Sequence, residues 1–204
     1  MRVPDYSPII DSDLHPYEIG ENWYNFRDET YHHYDNYSQA FCKWGAENCT
    51  SEIRDNVLSK YSRPTYKLEP KSAANPGEIV NAYYSGLPMF GDANNPEDYT
   101  KVIGPILQER LGSGVYRNIT LEGHEMHPGE IIRMWVNING FAHIRTHGVG
   151  LNKSENFLRN DSKLSYVGRS LEKFKAGKND ELGPKAFQTM DREAYKYWRK
   201  NYGN

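Results

Sequence analysis

The feature that most constrains this chain is the Asn139-Gly140 pair, which stands between two runs of β-forming residues. Both residues tolerate the positive φ angles of a type I′ turn, so the pair predicts a β-hairpin with a two-residue loop. A loop of this length fixes the register of the strands. The predicted pairs are Ile138 with Phe141, Val136 with His143, Met134 with Arg145, and Ile132 with His147. The reverse face then carries Arg133, Trp135, Asn137, Ala142, Ile144 and Thr146.

The register leaves open which face of the hairpin meets the core. In one interpretation, Arg133, Trp135 and Ile144 face the core, and the histidines of the second strand line a solvated surface. In the other, the polar residues stand in a cleft whose floor is Ile132, Met134 and Val136. The sequence alone does not choose between the two.

The remaining patterns predict an α+β fold with a mainly helical N-terminal half. Ser51 to Tyr61 reads as a helix after a Thr50 cap. Asn75-Pro76-Gly77-Glu78 and Asn95-Pro96-Glu97-Asp98 predict helix starts. The first helix should end near Ser85-Gly86, and the second should lead toward Val102 and Ile103, with a further turn from Pro105 to Leu111. The alternating run from Val115 to Leu121 reads as a strand.

These elements predict one domain spanning residues 1–204. We expect an extended arm at 1–16, a helical part at 17–112, an antiparallel sheet at 113–150 with its strands within 115–148, a loop-rich part at 151–183, and a helix at 184–202. The last helix begins at Pro184 and places Phe187, Met190, Ala194, Tyr197 and Trp198 on one side.

Composition excludes several classes of protein. The formal net charge of -2 gives no general basic field for coating nucleic acid. No window approaches the roughly 20 apolar residues of a membrane span, and the N-terminus lacks the pattern of a signal peptide. Cys42 and Cys49 permit either a local disulfide or two reduced core thiols.

Four of the seven histidines fall between Gly123 and Gly150, together with two arginines. The candidate catalytic residues are His124, His127, Arg133, His143, Arg145 and His147. One histidine can act as a base and another as an acid, while a guanidinium neutralises developing oxyanion charge. Ribonuclease chemistry without a metal has those needs, because the RNA 2′-OH loses a proton and the 5′-oxygen gains one. We expect Trp135 and Thr146 to contact the substrate.

A metal site is the alternative for the loop before the hairpin. His124, Glu125, His127 and Glu130 offer nitrogen and oxygen ligands. Their order is H-E-x-H, however, and not the H-E-x-x-H that places two imidazoles one helical turn apart. We therefore expect no metal and no other cofactor.

The C-terminal two-fifths resembles toxin domains at the ends of large bacterial polymorphic toxins. The similar stretches are ITLEGHEMHPGEIIR, IRTHGVG and GPKAFQTMDREAY, together with the extended opening VPDYSPIIDSDL. The resemblance implies an effector that a larger polypeptide delivers to the target-cell cytoplasm and that a cognate immunity protein neutralises. It also implies, in broad terms, a nuclease, and it would explain the missing export signal.

Two further function classes compete with a ribonuclease. A toxin that consumes NAD or transfers ADP-ribose would suit the charge balance, with Arg133 or Arg145 holding the pyrophosphate. A non-enzymatic binding or adhesion module would use the aromatic residues as its contact surface, and the histidines would then be incidental.

Overall fold

The computed structural model describes residues 31–85, 100–124, 129–151 and 166–203. The strands are β1 (Tyr31–Tyr37), β2 (Ile79–Ser85), β3 (Thr100–Gly112), β4 (Val115–Thr120), β5 (Gly129–Ile138) and β6 (Phe141–Leu151). The helices are α1 (Ser51–Lys60) and α2 (Tyr166–Tyr202), with 3-10 turns at Glu47–Cys49 and Tyr66–Leu68. The α+β class is thus confirmed.

The six strands form one sheet in the order β1-β6-β5-β4-β3-β2. Every neighbouring pair is antiparallel, and the first strand lies beside the last. The predicted hairpin is the β5-β6 pair, which lies between the edge strand β1 and strand β4. Its register is the predicted one in all four pairs.

The hairpin turn forms for the reason that the sequence indicates. Asn139 and Gly140 have φ angles of 52° and 83°. The amide of Gly140 also donates a hydrogen bond of 2.9 Å to the side-chain oxygen of Asn137. The turn therefore closes with two residues in the left-handed region, which Asn and Gly adopt at little cost.

One side of the sheet, here called the helix-side face, packs against both helices. Its members on the hairpin are Ile131, Arg133, Trp135, Ala142, Ile144 and Thr146. The main core on this side joins Phe41, Val57, Leu58, Tyr61, Tyr116, Phe187, Met190, Ala194 and Trp198 to the hairpin. The aromatic rings of Phe41 and Trp135 meet edge to face with centroids 4.8 Å apart.

The opposite side, here called the distal face, carries Glu130, Ile132, Met134, Val136, His143, Arg145, His147 and Val149 on the hairpin. Ile132, Met134 and Val149 form a second, smaller apolar cluster there. Arg145 and His147 are buried as well, so the histidine strand does not line a solvated surface. The first interpretation is right that Arg133, Trp135 and Ile144 face the main core, but it is wrong that the second strand's histidines line a solvated surface.

The prediction of a mainly helical N-terminal half is wrong. Residues 75–78 close a turn instead, in which the amide of Glu78 donates to the carbonyl oxygen of Asn75. The carboxylate of Glu78 accepts from the Asn75 amide, as a helix cap would. Gly77, however, has a φ of +80°, and the chain leaves the turn as strand β2. A cap contact alone does not continue into a helix.

The helix predicted to reach Val102 and Ile103 and the turn predicted from Pro105 to Leu111 are also wrong, because both segments lie within β3. β3 joins the sheet between β2 and β4 with a buried residue at Ile106. The helix start at Asn95 and the arm at 1–16 lie outside the described residues.

Helix α1 matches its prediction. The Thr50 hydroxyl accepts a hydrogen bond from the amide of Ile53 at 3.3 Å. Val57 and Leu58 are fully buried against the sheet. The helix therefore begins at its predicted cap, and it buries two residues of its apolar side, Val57 and Leu58.

Helix α2 is longer than predicted, and the loop-rich part is shorter. The helix begins at Tyr166 and passes through Pro184 to Tyr202, so residues 166–183 are helical. Residues 152–165 lie outside the described part of the chain. A proline suited to a first helical position is here internal.

A disulfide joins Cys42 to Cys49. Both cysteines lie in the helix-side core, where Cys49 is fully buried. Of the helices within the described ranges, none is long and apolar enough to cross a membrane.

Candidate active site

The structure separates the candidate residues of the hairpin onto two faces. Arg133 and Thr146 are helix-side, where the Arg133 Nη1 donates to the Thr146 hydroxyl at 2.7 Å. Arg145 and His147 are on the distal face, paired with Met134 and Ile132. A single reaction therefore cannot use both arginines at one atom, because the sheet lies between them.

His147 occupies the middle of the distal face. Its neighbour on β5 is Ile132, and its neighbour on β1 is Asp35. The side chain is 3% exposed. The side chain is therefore enclosed on this face, next to positions of two neighbouring strands, and an imidazole can act there as a general acid or base.

Arg145 lies two residues before His147 on the same face, and Asp35 holds its guanidinium. The Nε and Nη2 of Arg145 donate to the two carboxylate oxygens at 2.9 and 2.7 Å. Such a bidentate pair fixes the plane of the guanidinium. Asp35 thus orients Arg145 and is the register partner of His147 at once.

Glu130 lies on the same face as Arg145 and His147. The sequence pattern indicated it only as a metal ligand and did not mark it as a candidate acid or base. It pairs with Val149, so it lies diagonally across β5 and β6 from His147. Diagonal pairs of this kind are within reach of long side chains. Glu130 is 6% exposed, and burial raises the pKa of its carboxyl to about 7. A carboxyl that changes protonation near neutral pH can serve as a general acid or base.

Arg117 flanks Glu130 from the other side. It pairs with Ile132 across β4 and β5, which makes it a diagonal neighbour of Glu130. Its Nε donates to Glu109 on β3 at 2.8 Å, and its Nη2 forms a short ion pair with the same oxygen. The distal face therefore carries Glu130 and His147 between two guanidinium groups.

The other two histidine positions differ from this set. His143 is half-buried near the turn, and its Nδ1 donates to the carbonyl oxygen of Ser38 at 2.8 Å. His124 is buried in the turn after β4, where its main chain lies against Gly104 of β3. Gly104 has a φ of +130°, and a side chain there would collide with the backbone of His124. His127 lies outside the described residues.

The substrate contacts expected at Trp135 and Thr146 have structural partners. The indole Nε1 of Trp135 donates to the carbonyl oxygen of Arg54 on α1 at 2.6 Å. Thr146 is fully buried and accepts from Arg133. Both side chains belong to the interface between the sheet and the helices.

Metal ligands do not cluster in the described ranges, where no three His, Cys, Asp or Glu side chains are placed to hold an ion. Of the four ligands considered for the alternative metal site, His124 and Glu130 fall within those ranges, whereas Glu125 and His127 lie outside them.

Comparisons with known proteins add no family. No family model matches the chain, and no curated protein matches it.

Three solved structures show a partial likeness. A Staphylococcus aureus protein of unknown function is 10% identical with a TM-score of 0.46, over 85% of this chain and 97% of its own. The di-domain ARO/CYC BexL from the BE-7585A biosynthetic pathway is 12% identical with a TM-score of 0.42, over 87% of this chain and 52% of its own. A Bordetella parapertussis protein solved by NMR is 13% identical with a TM-score of 0.38, over 85% of this chain and 87% of its own. Likenesses of this size carry no argument about function.

Proposed function

We propose that the chain is a ribonuclease-type effector domain whose distal face cleaves RNA without a metal. The observation that carries the proposal is the placement of Glu130 diagonally across the hairpin from His147, with Arg145 and Arg117 on either side. This set supplies a base, an acid and two cations on one surface. The reaction needs no more than these groups.

The proposed roles follow from the chemistry of the groups. Glu130, as a carboxylate, takes the proton of the RNA 2′-OH, and the 2′-oxygen attacks phosphorus. His147, as an imidazolium, gives its proton to the departing 5′-oxygen. The products are a 2′,3′-cyclic phosphate and a free 5′-hydroxyl. Arg145 and Arg117 stabilise the charge on the phosphorane.

The wider setting of this proposal rests on the resemblance to polymorphic toxin domains. In that setting a larger polypeptide delivers the domain, RNA in the target-cell cytoplasm is the substrate, and an immunity protein protects the producer. The net charge of -2 favours local recognition by the site over nonspecific coating of nucleic acid.

The test is cleavage of total RNA or tRNA by the purified chain in excess EDTA. We expect cyclic-phosphate ends, and we expect Glu130→Gln and His147→Ala each to lower the rate by about 100-fold, the usual contribution of a general acid or base. Glu193→Gln on α2 is the matched control, because its carboxylate pairs with exposed Lys196. Intact RNA at high protein concentration would overturn the proposal.

A toxin that consumes NAD is the second candidate, and the enclosure of the site favours it. Glu130 is 6% exposed and His147 is 3% exposed, and a site so buried suits a small substrate better than a polymer. In that case the chain would deplete NAD in a cell extract while RNA stays intact. Glu130→Gln would again abolish the reaction.

A further inference from the structure

The distal face becomes more exposed along β6 toward the hairpin turn. His147 and Arg145 are buried, His143 is half-buried, and Phe141 beside the turn is 48% exposed. These four residues alternate along one strand, so their side chains share a face. The open surface next to the proposed catalytic residues therefore lies toward the turn.

An exposed tyrosine ring lies beside Arg145. Tyr37 on β1 is the register partner of Arg145, and its ring centroid is 5.7 Å from the guanidinium carbon. The ring is 43% exposed. The Tyr37 hydroxyl donates a hydrogen bond to Asp35, whose carboxylate also holds Arg145. The ring is therefore held next to a fixed cation while much of its surface meets solvent.

The turn end of the row carries a second ring and a second cation. The chain after β1 continues beside β6, and Lys43 forms a β-bridge with Phe141. Directly paired residues of antiparallel strands place their side chains on one face, so the exposed Lys43 lies beside Phe141. Phe141 precedes Arg145 by four residues, which is about 14 Å along a strand. We call these residues the aromatic strip: Tyr37, Lys43, Phe141, His143 and Arg145.

We propose that the aromatic strip binds a single-stranded stretch of RNA that leads away from the reacting phosphate. Tyr37 stacks on the base beside that phosphate, Phe141 stacks on a base nearer the turn, and Lys43 contacts a backbone phosphate. Proteins bind single-stranded nucleic acid by combining stacking rings with cations in this way. The inference rests on the proposed function, because Arg145 and His147 set the position of the reacting phosphate.

The contacts of the strip suit an unpaired strand. A base inside a duplex is stacked on its neighbours, whereas an unpaired base is free to stack on an aromatic side chain. Two rings that hold one base between them lie about 7 Å apart, twice the contact distance of ~3.5 Å. Tyr37 and Phe141 are about 14 Å apart along the strip, so they serve different bases. The strip would also supply affinity for RNA that a net charge of -2 does not.

The first test measures binding of an octamer of 2′-O-methyl uridine, which lacks the 2′-OH that the reaction needs and so stays intact. We expect Tyr37→Ala and Phe141→Ala each to weaken binding by about 10-fold, the usual effect of removing a stacking ring. Tyr37→Phe keeps the ring and should bind as the wild type does. Tyr66→Ala is the matched control, because Tyr66 is 51% exposed and contacts Tyr83 on β2, at the far edge of the sheet.

An abasic strand of the same length separates stacking from charge. It keeps the phosphates and loses the bases, so the wild type should bind it at least ~10-fold more weakly. Lys43→Gln should reduce the slope of log affinity against log salt by about 0.7, the value of one phosphate contact on a single strand. Lys196→Gln on α2 should leave that slope unchanged. Equal binding of the two strands, or wild-type binding by Tyr37→Ala and Phe141→Ala, would overturn the proposal.

Cleavage of RNA by the same variants reports on the reaction separately. Because Tyr37 contacts a base and no reacting atom, Tyr37→Ala should raise KM by about 10-fold and leave kcat nearly unchanged. Cleavage of RNA together with unchanged octamer binding in Tyr37→Ala would overturn the strip and leave the proposed reaction standing. Weakened octamer binding by variants of a chain that cleaves no RNA would support the strip and overturn the reaction.

Discussion

The two faces of the hairpin treat charge differently. On the helix-side face, Arg133 and Asp191 form a buried pair between β5 and α2 inside a large aromatic core. On the distal face, Asp35 is 28% exposed where it holds Arg145, and Glu130 titrates near neutral pH. The first arrangement links a helix to the sheet, whereas the second includes a carboxyl whose pKa lies near neutral pH. The comparison teaches that buried charge alone does not distinguish a structural ion pair from a proposed catalytic group, since both faces bury charge.

The largest effect expected is on stability, from breaking the helix-side pair. Arg133→Met leaves Asp191 buried without its cation and should cost about 3–5 kcal/mol of unfolding free energy. The double variant Arg133→Met with Asp191→Leu should recover most of that loss, because no charge then remains buried. Arg145→Met should cost less, since Asp35 can reach water. Urea unfolding measures all three, and an equal loss in the single and double variants would contradict this account.

The next largest effect is expected from Glu130→Gln on the distal face, which should raise the unfolding free energy by an amount that depends on pH. Burial raises the pKa of Glu130 to about 7 from an unfolded value of 4.5. The unfolded chain therefore loses its proton first as pH rises, and the wild type loses stability between about pH 4.5 and 7. Glu130→Gln removes this loss, which amounts to about 3 kcal/mol at 1.36 kcal/mol per pKa unit.

Unfolding at pH 4 and pH 8 checks this prediction. The advantage of Glu130→Gln over the wild type should be about 3 kcal/mol larger at pH 8 than at pH 4, while RNA cleavage is lost. A difference that does not change with pH would show that Glu130 titrates normally. Glu193→Gln is the control here too.

A smaller effect is expected from the disulfide on the helix-side face. Replacing Cys42 and Cys49 together by serine removes a cross-link over a sequence separation of 7 residues. Loop-closure entropy gives about 2 kcal/mol for such a link. The cleavage rate per folded molecule should not change, because both cysteines lie across the sheet from Glu130. A pH-rate profile that moved with the disulfide would show that the two faces are coupled.

The smallest effect is expected at the α1 cap. Thr50→Ala removes the hydroxyl that accepts from Ile53 and should cost about 1 kcal/mol, whereas Thr50→Ser should restore most of it. Thermal unfolding measures both variants. RNA cleavage should be unaffected, and any loss of activity in Thr50→Ala at a temperature where it is folded would weaken the division between the faces.

The sequence predicts the hairpin well because one local signal decides it. Asn139-Gly140 sets the turn, and the turn sets the register of every residue from Ile132 to His147. The same register, extended to Glu130 and Val149, would have placed Glu130 on the histidine face. Its position beside the histidines could therefore have been predicted from the alternation alone.

The features that the sequence did not predict depend on contacts between segments that are distant along the chain. Residues 75–78 carry a helix-start pattern, yet pairing with β3 makes Ile79–Ser85 a strand. The burial of the distal face and the pairing of Asp191 with Arg133 join residues far apart in the chain. Tertiary packing determines which residue pairs with a buried charge, so the local periodicity of the sequence cannot predict that partner.

The most direct measurement is the pH dependence of RNA cleavage by the wild-type chain in excess EDTA. With Glu130 as the base and the His147 imidazolium as the acid, the pH profile should be bell-shaped: the rate rises as the Glu130 carboxyl loses its proton, at about pH 7, and falls where the imidazolium loses its own. The rise should be absent from the residual activity of Glu130→Gln. A rate that is already constant from pH 5 upward, or that persists unchanged in Glu130→Gln, would contradict the assignment of the distal face as the catalytic one.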